Sequence, residues 1–480
     1  MPVSNQLKNQ HLLWRGGFGP MNEDQAFLIK ASPKDYVKAL FKASSKPPNY
    51  IDVADNAIKG LVMGVDDIKK QQLSDEQKKK LRQQSKEDIK NLNLSWLSEM
   101  TNSQQQLREK MSLFWHGHFA SRNINILYQQ QLLDIIRRNA LGNFGDLLVE
   151  VSKSAAMINF LNNNQNRKGH PNENFAREVM ELFTLGRGNY TETDVKEAAR
   201  AFTGWGANIA GEFVFRRFQH DSGVKSVLGK TGSFTGEDVL KILLEQKQTA
   251  HFICRKIYKF FVNESVDESI VDSLAKKFFQ SNYDIASLMN EIFNSDWFYD
   301  QKNIGSKIKS PVELLVGMQR ALPLEWQNPE VQLLIQRLLG QLLFYPPNVA
   351  GWPGGKNWID SSSLMMRMRL PQLISSAGEL TARPKDDDDQ MMGRKDNPLK
   401  SMGKLGGQLM GASIDWTSYL RKFEKIPREQ LCSSLVSLHL QSKLSIPESV
   451  LNNHADASSR ENYIKTCTIH IMSTPEYQLC

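Results

Sequence analysis

Apolar side chains recur along most of the chain at the three- and four-residue intervals that place them on one face of an α-helix. A clear example is the series Leu107, Met111, Phe114 and His118, and further amphipathic segments follow as far as Ile158. Similar spacing returns in the second half of the chain. The pattern therefore predicts a mainly α protein, built as a multi-helix globular body.

Another helix is predicted over Glu173–Leu185. Gly186, which follows directly, suits the left-handed conformation that ends many helices. Thr191 and Asp194 then have the spacing of a capping box, so the next helix is expected to begin there and to end near Trp205. The apolar residues of the first of these helices lie on one arc: Phe175, Val179, Leu182 and Phe183.

A short β-prone stretch interrupts the helical pattern at residues 212–228. Phe213, Phe215 and Val227 belong to short runs on either side of Asp221-Ser222-Gly223, which is a turn sequence. These features predict one small β-hairpin inserted in a helical protein.

Composition divides the chain into three parts. Residues 1–376 are predicted to form the main helical domain with the hairpin. Residues 377–412 hold four consecutive aspartates, several glycines and almost no apolar periodicity, which is typical of a flexible linker. Residues 413–480 return to helical spacing, and because so short a segment buries little apolar surface alone, we expect it to pack on the main domain.

The overall composition supports a large buried core but gives little guidance on binding partners. Hydrophobic residues make up 40% of the 480 positions. The net charge is +8, yet 60 basic residues stand against 52 acidic ones, so the excess is spread over a large surface. The basic run Lys78-Lys79-Lys80 lies beside Asp75 and Glu76, and these acids argue against nucleic-acid binding.

The sequence favours a protein with no membrane span and no disulfide framework. No run reaches the roughly 18 apolar residues that a span requires, and the first 20 residues lack the charge and apolar pattern of a signal peptide. Localisation stays open, with the cytoplasm as the default and the periplasm or export as alternatives. Of the four cysteines, Cys432 could pair with Cys467 or Cys480 in an oxidising compartment, and buried free thiols are the alternative.

The first candidates for chemistry are His116 and His118. In an extended segment the two imidazoles would share a face and could chelate one metal ion, whereas on a helix they point about 200° apart. The helical register places His118 on the apolar side and His116 elsewhere. A pair of hydrogen-bonded structural histidines is the alternative.

The second candidates lie on the predicted helix Glu173–Leu185. Glu173, Arg177 and Glu181 form one stripe, while Glu178 lies at the edge of the apolar arc. A buried glutamate must be paired, bound to metal or protonated, so Glu178 is predicted to be a general base or a metal ligand. An ion-pair ladder through Arg177 is the structural alternative.

The third candidate is the pair His220-Asp221. Alone, such a pair often only caps a turn. Together with the preceding histidines and carboxylates, it has the composition of a His/Glu metal site or of an acid–base pair. The sequence lacks a Gly-x-Ser-x-Gly elbow, a phosphate loop, a dinucleotide fingerprint and a His-Glu-x-x-His helix, so the familiar hydrolase and nucleotide mechanisms lose support.

These segments together resemble a bacterial family called domain of unknown function 1800, or DUF1800. The resemblance covers nearly the whole chain, and the chain departs from it at Gly117, where an asparagine is expected, and in having no visible signal peptide. The matching stretches are 11–19, 114–119, 172–186, 190–205, 220–225, 228–229, 308–313, 346–358 and 472–478.

The resemblance implies little about activity, because the family's activity is not established. Members are often exported and often occur with a partner family that is similar to sulfatases and alkaline phosphatases. This association implies a role in envelope or polymer metabolism.

The leading hypothesis is a hydrolase of envelope or polysaccharide metabolism, with or without a divalent metal; the cofactor is unknown. Its predicted catalytic residues are His118, Glu178, Glu181, His220 and Asp221. The predicted metal ligands are His116, His118 and Glu178, and the predicted substrate-binding residues are Arg177, Trp205 and Trp352, with aromatic core as the alternative for both tryptophans. A different class of function is a noncatalytic helical scaffold that binds a partner protein or surface polymer, with the same residues forming a buried structural network.

Overall fold

The structure, a computed structural model, describes residues 3–21, 25–56, 58–59, 74–208, 210–376 and 412–480. Within these ranges the chain forms 21 α-helices and three small two-stranded antiparallel sheets. The prediction of a mainly α protein is therefore confirmed. None of the helices in the described ranges is long and apolar enough to cross a membrane.

The helices pack through apolar faces that meet in a large shared core. In the first part of the chain they are α1 (Asn5–Arg15), α2 (Gln25–Lys30), α3 (Pro33–Ala43), α4 (Asp75–Asn102), α5 (Gln106–His118), α6 (Ile126–Asn139), α7 (Phe144–Lys153), α8 (Ala155–Phe160), α9 (Asn174–Glu178) and α10 (Glu192–Ala201). The remaining helices are α11 (Gly236–Leu244), α12 (Lys247–Phe261), α13 (Glu268–Gln280), α14 (Ile285–Asn294), α15 (Pro311–Ala321), α16 (Val331–Leu338), α17 (Ser361–Ser375), α18 (Trp416–Arg421), α19 (Leu431–His439), α20 (Glu448–His454) and α21 (Arg460–Met472).

The strands form three separate hairpin-sized sheets. Strand β1 (Trp205–Ala207) pairs with β2 (Phe213–Phe215), β3 (Lys225–Val227) pairs with β4 (Lys230–Gly232), and β5 (Leu324–Trp326) pairs with β6 (Ala412–Ile414). The strand pairing thus differs from the single hairpin predicted over 212–228, because its two β-prone runs pair with other segments.

The physical reason for this difference lies in two turns. The Asp221 carboxylate accepts a hydrogen bond from the amide of Gly223 at 2.9 Å, so the Asp-Ser-Gly sequence closes a local side-chain turn. The hairpin turn between β3 and β4 is instead made by Leu228 and Gly229, whose φ angles are 50° and 79°. Two consecutive residues with positive φ fit a type I′ turn, which favours the twist of a hairpin.

Two predicted helix boundaries are confirmed. Gly186 has a φ of 80°, the left-handed conformation expected after a helix. At the start of α10, the amide of Asp194 donates to Thr191 Oγ1 at 3.2 Å, and the amide of Thr191 donates to Asp194 Oδ2 at 2.8 Å. The second Asp194 oxygen accepts from the amide of Leu228 at 2.7 Å, which ties the β3–β4 turn to α10.

The C-terminal segment contacts earlier parts of the chain. The amide of Cys480 donates to the carbonyl oxygen of Lys307 at 2.8 Å, and helix α21 packs against α17. The predicted linker 377–412 lies outside the described residues except for Ala412, which begins β6. The four cysteines are free and buried: Cys254, Cys432, Cys467 and Cys480.

Candidate functional site at a π-helical turn

The helix that carries two candidate glutamates changes its winding after Glu178. The predicted α-helix Glu173–Leu185 is α-helical over Asn174–Glu178 and continues as a π-helix over Val179–Thr184. Thr184 Oγ1 donates to the carbonyl oxygen of Val179 at 2.7 Å, which supports the wider winding. Single π-helical turns are rare and occur frequently at functional sites, so this turn is the natural centre of the candidate site.

His118 supports the π-helical turn from inside the protein. Its Nε2 lies 3.2 Å from the carbonyl oxygen of Phe183, and its Nδ1 lies 3.0 Å from Nζ of Lys256. A carbonyl oxygen only accepts, so Nε2 carries the proton and Nδ1 accepts from the lysine. Burial, with the charge of Lys256, holds the pKa of His118 well below its usual value, and the ring is neutral.

Lys256 is a site residue that the sequence reasoning missed. It lies on α12, is half-buried, and also donates to the carbonyl oxygen of Leu182 at 3.2 Å. Burial lowers the pKa of Lys256 from 10.5 to about 8. One sequence signal was present, because Lys256 falls within the apolar arc of its helix, between Ile253 and Phe260.

Glu178 is the last residue of α9, directly before the π-helical turn, and is half-buried. Among the described residues, its carboxylate has no hydrogen-bond partner. Burial raises the pKa of Glu178, the neighbouring charge of Glu181 raises it further, and Arg177 opposes both effects. Glu178 and Glu181 are both half-buried, so burial alone does not distinguish the two carboxylates.

Glu181 differs from Glu178 because its carboxylate is held by two neighbours. The hydroxyl of Tyr190 donates to Glu181 Oε2, and Arg187 Nε donates to Oε1 at 3.1 Å. Burial and the bond to Glu181 together raise the pKa of Tyr190 to about 12, so the phenol keeps its proton. Two carboxylates three residues apart thus have different surroundings.

Arg177 uses its guanidinium to join two helices. It donates to Glu173 at 3.0 Å and to both oxygens of Glu192, at 2.8 and 2.7 Å, and the hydrogen bonds to Glu192 raise its pKa. Of the ion-pair ladder given as the alternative for the stripe Glu173, Arg177 and Glu181, the pair Arg177–Glu173 is present, whereas Glu181 pairs with Arg187. Arg177 therefore fixes α9 against α10 near Glu178.

His116 lies on a different face of α5 from His118. Its Nε2 accepts a hydrogen bond from the amide of Phe344 at 3.2 Å, and its ring packs against Trp96 and Trp352. Burial lowers the pKa of His116 to about 3, so this ring is also neutral. Trp352 is half-buried against this histidine. These contacts are those of a structural aromatic cluster.

His220 and Asp221 bind a third set of residues. The Nδ1 atom of His220 lies 3.0 Å from the carbonyl oxygen of Thr203. Arg200 Nε donates to Asp221 at 2.8 Å, and this bond, with the Gly223 amide, lowers the pKa of Asp221 to about 2 despite partial burial. The pair therefore anchors the segment before β3 to the end of α10.

Trp205 belongs to the core. Its side chain is 1% exposed and packs edge-on against Phe202 and Phe213, with Phe175 close by. The aromatic-core alternative for this residue therefore fits the structure.

The structure brings some predicted site residues together and separates others. Glu178 and Glu181 share one turn, and His118 supports the carbonyl groups of the same turn. Within the described residues, no hydrogen bond or ion pair joins this group to His116, His220 or Asp221. In the same part of the chain, no three His, Cys, Asp or Glu side chains are grouped so that they could hold a metal ion.

The sequence pattern also did not predict a buried cluster of charged residues around Glu313. Glu313 is fully buried and accepts hydrogen bonds from Lys110 at 2.5 Å and Lys307 at 2.8 Å, and it closes the capping box of α15 with Ser310. Although burial opposes ionisation, the two lysines hold the pKa of Glu313 well below its usual value. This cluster joins α5 to α15.

Comparison with known proteins adds a family but no activity. Searches of the curated proteins and of the solved structures each returned no match. A family model described as "Protein of unknown function (DUF1800)" matches residues 11–479 of the 480-residue chain. The chain therefore belongs to the DUF1800 family.

Proposed function

We propose that this protein is an acid–base hydrolase whose catalytic residues are Glu178 and Glu181. The observation that supports the proposal is the contrast between the two carboxylates on one turn. Glu178 is half-buried without a hydrogen-bond partner among the described residues, and burial raises its pKa. Glu181 is bound by Tyr190 and Arg187.

Such a contrast assigns two roles. A carboxyl group with a raised pKa keeps its proton closer to neutral pH and can donate it to a leaving group. A carboxylate that hydrogen bonds hold in a fixed position can accept a proton from an attacking water. In this proposal Glu178 is the general acid and Glu181 the general base.

His118, Lys256 and Arg177 act in the proposal as positioning residues. His118 and Lys256 hold the carbonyl groups of Phe183 and Leu182 and so fix the turn from inside. Arg177 fixes the same helix to α10. The proposal needs no divalent metal and assigns no chemistry to His116, His220, Asp221, Trp205 or Trp352, whose contacts are made elsewhere.

The substrate class in this proposal is a neutral ester or glycoside, and an envelope polymer is the class that the family resemblance implied.

The first test is release of p-nitrophenol from a panel of p-nitrophenyl esters and glycosides. Glu178→Gln keeps the shape of the side chain but removes its proton transfer, so we expect a loss of about 10²-fold or more. Glu76→Gln, at a carboxylate with 79% exposure, is the matched control and should keep wild-type activity.

A carbon-13 NMR titration of glutamate carboxyl groups, assigned with Glu178→Gln, tests the supporting observation directly. We expect the Glu178 signal to titrate above the range of ordinary glutamates. Titration at an ordinary pH, together with no turnover of the panel, would contradict the proposal. Equal activity of Glu178→Gln and Glu76→Gln would contradict the role of Glu178.

A noncatalytic scaffold is the second candidate function. It is favoured by the internal pairing of Arg177 with Glu173 and Glu192 and of Asp221 with Arg200, as expected for structural networks. Its proposed partner is the sulfatase- and alkaline-phosphatase-like family that the resemblance implied. Co-purification of such a partner, with no loss on Glu178→Gln, would favour this candidate over the hydrolase.

A further inference from the structure

A groove of about 720 Å³ lies between the start of α1 and the segment that follows α19. This volume is within the range of sites that bind small ligands or short segments. The α1 side contributes Leu7 and Gln10, and the other side contributes residues 436–437 and 440–448, including Gln441 and Ile446. It lies on elements that carry none of the candidate catalytic residues.

The two walls of the groove are joined by direct hydrogen bonds. Gln10, which is 2% exposed, donates through Nε2 to the carbonyl oxygens of Ser437 at 2.7 Å and Leu438 at 3.1 Å. Ser445 is fixed at the far end, because its amide donates to Glu476 Oε1 at 3.0 Å. The groove is therefore formed by elements held in place before any ligand arrives.

The lining is neutral, aliphatic and rich in amide and hydroxyl groups. Four of its side chains are glutamines and four are serines, and the charged pair Lys443 and Glu448 is balanced. The aliphatic part includes Leu7, Leu440 and Ile446. The described residues of the lining include no aromatic ring, and their charges sum to zero. This chemistry does not favour an anion or a ligand that stacks on rings.

Several hydrogen-bonding groups of the lining have no partner among the described residues. Gln441 is only 5% exposed, yet neither its Nε2 nor its Oε1 has a partner, and the hydroxyl of Ser442 is likewise buried and unpaired. The backbone amides of residues 442–444 lie outside helices and strands and make no hydrogen bond within the described chain. Unpaired buried polar groups carry a free-energy cost that a ligand can relieve.

We propose that this groove binds an extended, uncharged peptide segment with aliphatic side chains. The peptide backbone would supply the carbonyl and amide groups that Gln441 and the free amides of 442–444 lack, in the manner of strand addition. Its side chains would pack on Leu7, Leu440 and Ile446. The inference does not depend on the proposed hydrolase, since it uses none of the same residues.

The probe for this proposal is a phage-displayed library of random dodecapeptides, selected on the full chain. Ile446→Asp places a charge in the groove at a side chain that is 38% exposed, so the fold should be preserved. Phe218→Asp, at a fully exposed side chain outside the groove, is the matched control. Thermal unfolding of both variants establishes that each one is folded.

We expect enriched peptides to be uncharged and aliphatic. Synthetic copies should bind the wild type and Phe218→Asp equally and should bind Ile446→Asp and Gln441→Leu at least about tenfold more weakly. Three results would overturn the proposal: no enrichment over an unrelated protein, equal binding to Ile446→Asp and wild type, or displacement of the peptides by neutral oligosaccharides that bind more tightly. Loss of hydrolysis in Glu178→Gln would leave peptide binding unchanged, so the two proposals can fail separately.

Discussion

The imidazole Nε2 of His118 lies 3.2 Å from the carbonyl oxygen of Phe183, and this contact joins the end of α5 to the π-helical turn. The final carbonyl groups of a helix lack partners within the helix. At this turn a neutral histidine satisfies one of them, and Lys256 satisfies another on Leu182. The interior of the protein thereby fixes the turn on which Glu178 and Glu181 lie.

Removing the His118 ring is expected to destabilise the protein. His118→Ala leaves the Phe183 carbonyl and the Lys256 amine without their partner, at a cost of about 3 kcal/mol. His118→Gln restores a donor for the carbonyl and should cost about half as much. Urea unfolding measures both losses, and equal losses for the two variants would contradict the assigned hydrogen bond.

The apolar pattern predicted the helices well because burial on one face is a local property of the sequence. It could not separate α from π winding after Glu178. Phe175, Val179 and Phe183 are all buried, and their four-residue spacing fits both windings. The wider turn depends on partners such as Lys256, which lies 74 positions from Leu182.

The candidate site was predictable in part for the same reason. The stripe of Arg177 with Glu173 follows from helical geometry and is present at 3.0 Å. The predicted grouping of Glu178 with His220 and Asp221 depends on contacts between segments that are distant in the sequence, which a local pattern does not reveal. Asp221 binds Arg200, and a sequence pattern does not reveal which of many arginines reaches a given carboxylate.

Acid is expected to destabilise the protein through His116. Burial lowers the pKa of this ring to about 3, from 6.5 in an unfolded chain. Below pH 6.5 the unfolded state binds a proton that the folded state does not, so this contribution is present above pH 6.5 and is lost as the pH falls towards about 3. The slope is about 1.4 kcal/mol per pH unit for one such histidine.

The measurement is chemical unfolding of wild type and His116→Gln at a series of pH values from about 7 to about 4. Glutamine offers an oxygen to the amide of Phe344 but does not titrate. The wild type should therefore lose stability more steeply than the variant. If the free energy of unfolding changed with pH equally in both proteins, a neutral buried His116 would be contradicted. The other buried histidines are present in both proteins, so their contributions cancel in the difference.

Lys256 is expected to react with amine reagents at lower pH than an ordinary lysine. Its pKa of about 8 gives it a large fraction of free amine where a normal side chain is almost wholly protonated. Brief labelling with acetic anhydride, read by mass spectrometry, should reach half its maximal rate at about pH 8 for Lys256. Partial burial lowers the rate but leaves this midpoint in place.

Two further variants make the labelling experiment decisive. Lys256→Arg removes the labelled peptide and so identifies the site. His118→Gln removes the ring nitrogen that accepts from the amine, and the midpoint should change when this neighbour is lost. A midpoint for Lys256 close to that of unfolded protein would contradict its burial beside His118.

Gly236, at the start of α11, is expected to tolerate no side chain because of Trp205. A Cβ atom at this position would lie 2.4 Å from Trp205 and 2.6 Å from Phe202, and both rings are buried. Alanine usually stabilises a helix relative to glycine. Here the clash should dominate, and Gly236→Ala should lower the free energy of unfolding by about 1–3 kcal/mol.

A double-mutant cycle tests whether Trp205 is the cause of this loss. Trp205→Leu alone should cost about 3 kcal/mol through lost packing. It also opens space for the new methyl group, so the double variant should be more stable than the sum of the single losses predicts. Gly354→Ala, where nothing lies within 4 Å of the added carbon, is the control and should change stability little. Additive losses at 205 and 236, measured by thermal unfolding, would mean that the glycine is required for a reason other than the tryptophan ring.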